Sequence, residues 1–253
     1  MDIPGPSSPL PPAEPQPRKR PRRRRPHLSP VVPNQVFIGA PWRTVRPKYE
    51  RCIDKLRSKF PLSFVIIGRG AGQEAEDLLE VIKSTIEASS FAVFDATGGN
   101  PNVSLEFGFA EAKDIPRSLY LSSHAASKKS SDAPIIADLA GKRRSHYAQE
   151  KALLSHLESL SRSHDYTKRF ERFLKDTFSK STRGEKRRAR TLALKIVHAM
   201  DGAKQLRRVD LIQSLLADQS AYDRAEIDSM VRKLHTAGLI RSLQGPHSKV
   251  SVT

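Results

Sequence analysis

Short apolar runs alternate with longer amphipathic stretches between residues 34 and 160. The runs have the length of buried strands, and the stretches carry apolar residues at helical spacing. The predicted strands cover residues 36–39, 62–67, 91–94, 118–121 and, as a short fifth strand, 134–139. The predicted helices cover residues 47–59, 74–88 and 103–113. Strict alternation of strands and helices predicts an α/β fold with a doubly wound, mostly parallel sheet.

A different pattern follows this first domain. Residues 147–184 are predicted to be helical and are highly charged, and residues 161–185 are predicted to form a helical connector. Residues 186–253 carry three apolar helical stripes, and the third ends at Gly238. Two short strands with a turn between them come last. Three helices followed by a two-stranded hairpin predict a smaller C-terminal winged helix-turn-helix, whose third helix would place Arg232 and Lys233 in a nucleic-acid groove. The alternative is a dimerisation or docking module, because winged helices also have these roles.

The first 33 residues form a distinct segment. They hold eleven of the eighteen prolines and the arginine run that includes Arg22, Arg23, Arg24 and Arg25. A segment of this composition cannot bury a core and is predicted to be disordered. The chain as a whole carries a net charge of +17. The charge and the arginine run predict contacts with nucleic acid, although a solvated tail is the alternative for the run.

Other features of the composition indicate the cellular compartment that is expected for the protein. Cys52 is the single cysteine, so no intrachain disulfide can form and a reducing compartment is expected. No apolar run approaches the roughly 18 residues that a membrane span needs, and the N-terminus lacks a signal-peptide core. A cytoplasmic location is therefore expected, or a nuclear one in a eukaryotic cell, with no membrane partner. The eight histidines show no paired spacing, so no metal site is predicted.

The segment from Asp95 to Gly108 is the most informative part of the chain. It follows the predicted strand 91–94, contains Gly98 and Gly99, and enters a helix for which Asn100 is a suitable N-cap. Because ligands bind at the carboxyl edge of such sheets, the polar residues here are expected near a ligand. Glu106 shares a helix face with Asn102, and its apolar neighbours predict a mostly buried helix. A buried carboxylate needs a reason, and Gly108 would let another group come close.

A resemblance to known families follows from these residues. Residues 36–41, 95–97 and 100–110, with residues 137–141, Arg144 and Tyr147, resemble the TIR-like nucleotide-binding domains of bacteria. They are also similar to the nucleoside 2-deoxyribosyltransferases, although residues 97–100 lack the acidic residues usual in that loop. The resemblance covers residues 34–160 and implies a flavodoxin-like or TIR-like layout. It also implies that Glu106 is the catalytic residue in N-glycosidic bond chemistry.

The residues expected to contact the nucleotide come from three loops. Trp42 and Arg43 follow the first strand and are suited to stacking on a ring and holding a phosphate. Gly70 lies in a glycine-rich loop after the second strand, where the alternative is a flexible loop without a ligand. The full predicted set is Gly39, Ala40, Pro41, Trp42, Arg43, Gly70, Asp95, Thr97, Asn100 and Asn102.

The preferred interpretation is hydrolysis of NAD to nicotinamide and ADP-ribose by a regulated defence-type effector that self-associates on activation. NAD is the expected substrate, and no cofactor is expected. One carboxylate can suffice, because the transition state is oxocarbenium-like and nicotinamide leaves as a neutral base. Two alternatives stay open: a non-catalytic nucleotide-sensing regulator that binds DNA, and a nucleoside deoxyribosyltransferase or hydrolase.

Overall fold

The computed structural model of the protein describes residues 31–41, 43, 45–67, 75–123, 143–200, 206–217, 222–242 and 249–252. Five parallel strands form the central sheet in the order β2-β1-β3-β4-β5. The strands are β1 Val32–Gly39, β2 Ser63–Val65, β3 Ser89–Asp95, β4 Arg117–Ser122 and β5 Ser145–Tyr147. The α/β fold with a parallel sheet, predicted from the alternating pattern, is confirmed.

Helices cover both faces of this sheet. Helix α1 (Arg46–Arg57) and helix α4 (Glu150–Ser163) cover one face, on which Val36, Ile38 and Val93 point inward. Helix α2 (Ala75–Ala88) and helix α3 (Pro101–Ala112) cover the other, on which Phe37 and Phe94 point inward. Successive residues of a strand point to opposite faces, so each strand supplies both layers of the core.

The fifth strand lies later in the chain than the sequence predicted. The prediction at 134–139 falls outside the described residues, and β5 is formed by Ser145–Tyr147. The sequence predicts a helix from Tyr147 onward, but Tyr147 lies in β5 and the helix begins at Glu150. A strand of three residues is too short to show a period-2 pattern, so the helical signal that follows it dominated.

The remaining helices and strands follow α4 in the chain. They are α5 Asp165–Thr177, α6 Arg183–Ala199, β6 Leu206–Arg207, α7 Arg208–Ala217, α8 Arg224–Thr236, β7 Ile240–Ser242 and β8 Lys249–Val252. The last three strands pair antiparallel in the order β6-β8-β7. Capping boxes begin both α6, at Thr182, and α8, at Asp223. The winged helix-turn-helix identity of this unit stays a prediction.

One apolar core joins the α/β sheet to the C-terminal helices. Buried residues of α1, α4, α5, α6 and α8 belong to the same cluster. The Tyr166 hydroxyl donates to the Leu239 carbonyl over 3.1 Å. From α6, Arg190 donates to the Lys59 carbonyl over 2.7 Å and His198 to the Phe60 carbonyl over 3.0 Å. The domain limits at residues 160 and 185 stay predictions, and packing is continuous across both.

Every helix in the described ranges is too short or too polar to cross a bilayer.

Candidate active site at the carboxyl edge of the sheet

A cavity of about 530 Å³ opens at the carboxyl edge of the sheet. The chain adds β2 on one side of β1 and then returns to place β3 on the other side, so the winding direction reverses between β1 and β3. Ligands of open α/β sheets bind at such a reversal. The described residues that line the cavity are Phe37, Ile38, Gly39, Ala40, Arg43, Ile67, Leu78, Leu79, Ile82, Asn100, Asn102, Val103, Leu105 and Glu106.

The turn before α3 brings Glu106 to this cavity. Gly98 and Gly99 have φ angles of 76° and 61°, in the left-handed region that glycine adopts without strain. Asn100 then caps the helix, because its side-chain oxygen accepts from the backbone nitrogen of Asn102 over 2.9 Å. Pro101 occupies the first turn, where its missing N–H costs nothing. The predicted N-cap is confirmed, and α3 carries Glu106 one turn beyond Asn102.

The Glu106 side chain is half-buried, and one of its two carboxyl oxygens is enclosed by the protein. Its Oε2 atom is inaccessible to water and has no hydrogen-bond partner among the described residues. Burial raises the pKa of Glu106 to about 7. The cause is desolvation, which disfavours the charged form. The site therefore holds a carboxylate that gains from a nearby positive charge, and at neutral pH a large fraction of it is ionised.

Gly39 at the end of β1 makes this position of Glu106 possible. A Cβ atom on Gly39 would overlap Glu106 Oε2 and would lie 2.8 Å from Cδ1 of the Phe94 ring. No described atom lies within 4 Å of the position that a Cβ would take on Gly108. The close approach expected at Gly108 therefore occurs at Gly39, which lies 67 residues earlier in the chain than Glu106.

Asp95 lies on the opposite face of the sheet from Glu106. It is fully buried, and its Oδ2 accepts from the Tyr147 hydroxyl over 2.7 Å and from the Tyr49 hydroxyl over 3.0 Å. Its Oδ1 accepts from the Thr97 backbone nitrogen over 2.9 Å. Burial raises the pKa of Asp95, and the hydrogen bonds from Thr97, Tyr147 and Tyr49 oppose that rise. This arrangement joins α1, β3 and β5 at the edge of the sheet.

Thr97 has a similar part in holding the edge together. Its Oγ1 accepts from the Ser122 backbone nitrogen over 2.8 Å, which links the turn after β3 to the end of β4. Neither Asp95 nor Thr97 is among the described residues that line the cavity. The structure places both behind the site, where they fix the turn that leads into α3.

The other predicted nucleotide contacts divide into three groups. Gly39, Ala40, Arg43, Asn100 and Asn102 meet Glu106 at the cavity. The buried Pro41 stands beside it, and its carbonyl accepts from the backbone nitrogens of Val45 and Arg46. Trp42 and Gly70 lie outside the described residues.

Apolar residues of α2 and α3 form a wall that the sequence reasoning did not assign to a site. Leu78, Leu79 and Ile82 line the cavity from α2, and Leu105 lines it from α3. Leu79 is 38% exposed and Leu105 is 59% exposed. The helical spacing of apolar residues in 74–88 and the apolar neighbours of Glu106 predict that these two leucines point inward, and this prediction is wrong for both. The apolar residues of α2 spread too widely around the helix to share one buried face, and this width was the signal that could have revealed the wall.

The predicted nucleic-acid contacts fall outside this site. Residues 22–25 lie outside the described ranges. On α8, the Arg232 Nε donates to Asp228 over 2.9 Å, and Lys233 Nζ lies 5.1 Å from the centre of the Phe178 ring. A nucleic-acid role for these residues stays a prediction.

In the part of the chain that the structure describes, no group of three or more acidic, histidine or cysteine side chains has the arrangement of a metal site.

Comparisons with known proteins give a similarity to a solved structure. No family model matches the chain, and no curated protein matches it. The solved structure of a CMP N-glycosidase from Clostridium botulinum matches 50% of this chain and 98% of its own length, at 17% identity and a TM-score of 0.33. A likeness of this degree does not bear on the activity of the chain.

Proposed function

We propose that this protein cleaves the N-glycosidic bond of a nucleotide, with Glu106 as the catalytic carboxylate. The observation that carries the proposal is the buried Oε2 atom of Glu106, which has no hydrogen-bond partner among the described residues. This oxygen lies so close to Gly39 that a Cβ atom there would overlap it. Leaving a buried carboxylate without partners destabilises a fold. A sugar that becomes an oxocarbenium ion would supply the missing positive charge in the transition state.

The walls of the cavity suit the three parts of a nucleotide. Glu106 lies where α3 meets β1, so the sugar would be placed there. Leu79 and Leu105 offer exposed apolar surface for a base or a nicotinamide ring, and the exposed Arg43 offers a cation for phosphate. A volume of about 530 Å³ lies within the range of small-molecule sites.

NAD is the substrate that this set of residues suits best. Glu106 is the one carboxylic acid among the described residues that line the cavity, and the carboxylate of Asp95 is committed to two tyrosines and Thr97. A nucleoside base leaves with negative charge and needs a proton donor. Nicotinamide takes the electron pair of the broken C–N bond as a neutral molecule, and water completes ADP-ribose. A role as a defence-type effector rests on the TIR-like resemblance alone.

The deciding experiment compares possible substrates directly. Purified full-length protein is incubated with NAD, with CMP and with a deoxynucleoside plus a free acceptor base, with and without DNA, and released bases are separated by chromatography. We expect nicotinamide from NAD and no base from CMP. Base exchange on the deoxynucleoside would favour the transferase alternative. Saturable NAD binding without release would favour the nucleotide sensor, and the absence of both binding and release would overturn the proposal.

We expect kcat/KM for NAD to rise with pH and to level off above an inflection near pH 7. The pKa of Glu106 is about 7 in the free protein, and only the ionised form can stabilise a cationic sugar. In the complex the positive nicotinamide ring favours the carboxylate, so kcat should inflect at a lower pH than kcat/KM. Initial rates between pH 5 and 9 measure both profiles. A rate that falls through pH 7 would instead assign Glu106 the role of an acid.

We expect Gly39→Ala to reduce NAD cleavage by at least about tenfold, since a displacement of about 1 Å at a reacting group can cost this much or more. The added methyl group would overlap the Glu106 carboxylate and press on Phe94. Gly108→Ala is the matched control, because its methyl group meets no described atom within 4 Å. The control should retain wild-type activity. Equal activity of the two variants would contradict the role of Gly39.

A further inference from the structure

A second cavity, of about 700 Å³, lies at the amino edge of the sheet. It is bounded by the first residues of β3, β4 and β5, by the C-terminal half of α4 and by the start of α5. Phe91, Ser118, Tyr120, Ser145 and His156 supply its central walls. None of the described residues that line it also lines the Glu106 cavity.

Small polar residues on both sides create this space. Ser118 and Ser145 face it from the sheet, and Ser159 faces it from α4. Nearer its N-terminus, α4 packs on the sheet through Leu153 and Leu157, which are fully buried. Strands of a parallel sheet beneath a helix are normally rich in large aliphatic residues. Serine side chains at these positions are too small to make the van der Waals contacts that larger residues would make, so the open space does not stabilise the fold.

Hydroxyl groups without a hydrogen-bond partner among the described residues meet in this cavity. Tyr120 is only 4% exposed, and its hydroxyl has no hydrogen-bond partner among the described residues. Burial raises the pKa of Tyr120 to about 12, so the hydroxyl keeps its proton at neutral pH. The side-chain hydroxyls of Ser118, Ser145 and Ser159 also lack partners within the described ranges. Solvent reaches these hydroxyls, and Ser159 is exposed, so a ligand in the cavity would replace water as their hydrogen-bond partner.

The cavity offers little net charge to a ligand. His164 is held neutral, because its Nδ1 accepts from the Tyr166 backbone nitrogen and burial lowers its pKa. Its Nε2 proton then points to Ser90 Oγ over 3.1 Å. At the rim, Asp165 pairs with Lys168 over 3.0 Å, and Arg169 donates to the Gly238 carbonyl over 2.6 Å. The charged groups at this end are therefore already paired or hydrogen-bonded.

Aromatic side chains add a preference for a flat ring. His156 donates from Nε2 to the His146 carbonyl over 3.1 Å, which leaves its Nδ1 as an acceptor. The imidazole lies 5.6 Å from the Tyr120 ring, and Phe91 stands on the neighbouring strand. Rings of this kind stack on heteroaromatic bases, and hydroxyl groups bind both base edges and sugar hydroxyls.

We propose that the cavity between α4 and the amino edge of β3, β4 and β5 is a second binding site, which takes an uncharged nucleoside. Its walls combine hydroxyl groups with aromatic rings, and the charges of the described lining residues balance, since Asp165 is the acidic one and Arg169 the basic one. This site is separate from Glu106 and does not depend on the proposed hydrolysis.

Histidine side chains give the test a local reporter. The full-length protein is titrated with adenosine and with cytidine, up to millimolar concentration, while the imidazole nitrogen resonances are recorded by NMR. Signals are assigned with His156→Gln and His164→Gln. Binding in this cavity should shift both signals saturably, with ribose alone as the negative control. A nucleoside in the Glu106 cavity would leave them unchanged, since no histidine is among the described residues that line it.

Substitutions then test the residues. Tyr120→Phe removes one hydroxyl and should weaken nucleoside binding about fivefold, the value of a single neutral hydrogen bond. Ser118→Leu fills the cavity and should abolish the shifts without lowering the melting temperature. Ser155→Leu on the exposed side of α4 is the control and should bind as the wild type does. Absence of shifts with both nucleosides, or unchanged binding by Ser118→Leu, would overturn the proposal.

Discussion

Glu106→Gln should lower the rate of NAD cleavage by at least about a hundredfold, which is the usual cost of removing one electrostatic contact to a transition state. Glutamine keeps the size and polarity of the side chain but lacks the charge that would stabilise the sugar cation. Release of nicotinamide under saturating NAD at pH 8 measures the effect. Wild-type turnover by the variant would show that another group performs the chemistry.

The stability of the same variant shows whether it is folded and tests the burial of the carboxylate. The pKa of Glu106 is raised in the folded protein, so its contribution to stability is fully present below about pH 4.5 and is lost as the pH rises through about 7. This pKa shift corresponds to a loss of about 3 kcal/mol in the free energy of unfolding of the wild type between these two pH values. Glutamine does not ionise. The melting temperature of Glu106→Gln relative to wild type should therefore rise by several degrees between pH 4.5 and pH 8. A constant difference would mean that Glu106 is well solvated.

Asp95→Ala should lower the free energy of unfolding by about 3 kcal/mol or more, because several buried donors lose their acceptor at once. The hydroxyls of Tyr49 and Tyr147 and the backbone nitrogen of Thr97 all donate to this carboxylate. Urea denaturation at pH 7 measures the change. The loss should be larger than the loss caused by Tyr49→Phe or Tyr147→Phe, each of which removes a single donor.

Asp54→Ala provides the comparison for this measurement. Asp54 is an exposed acid on α1, the helix that also carries Tyr49. Its removal should change stability by less than about 0.5 kcal/mol, as surface substitutions usually do. If Asp95→Ala were as mild as Asp54→Ala, the tyrosine bonds would add nothing to stability and Asp95 would be free for another role.

The features that the sequence predicted well are local ones. Alternation of apolar runs identified the parallel sheet, and the Asn100-Pro101 pair identified the start of α3. Such signals depend on neighbours within a few residues. The same reasoning placed Glu106 beside residues 39–43, because consecutive parallel strands end at one edge of the sheet.

The features that it did not predict depend on contacts between distant parts of the chain. Asp95 is the last residue of β3, and the sequence predicts it at the ligand, but the alternation of β3 turns it to the face that α1 and α4 cover. The need for glycine at position 39 arises from Glu106, which no local pattern connects to it. The apolar character of Leu105 predicts a core residue, but the packing of α3 leaves its side chain exposed at the cavity.

The shared core limits how the C-terminal unit can be exchanged during evolution. Helix α6 contacts the turn after α1 through Arg190 and His198, while its apolar side belongs to the cluster that includes α8. Recombination at residue 185 would remove both donors from that turn and uncover Phe170 and Phe173 on α5. The C-terminal unit therefore cannot be transferred to an unrelated domain through a linker alone, because its packing depends on the rest of this chain. A lineage that replaced it would have to change α5 as well, and to repack the turn after α1 that α6 contacts.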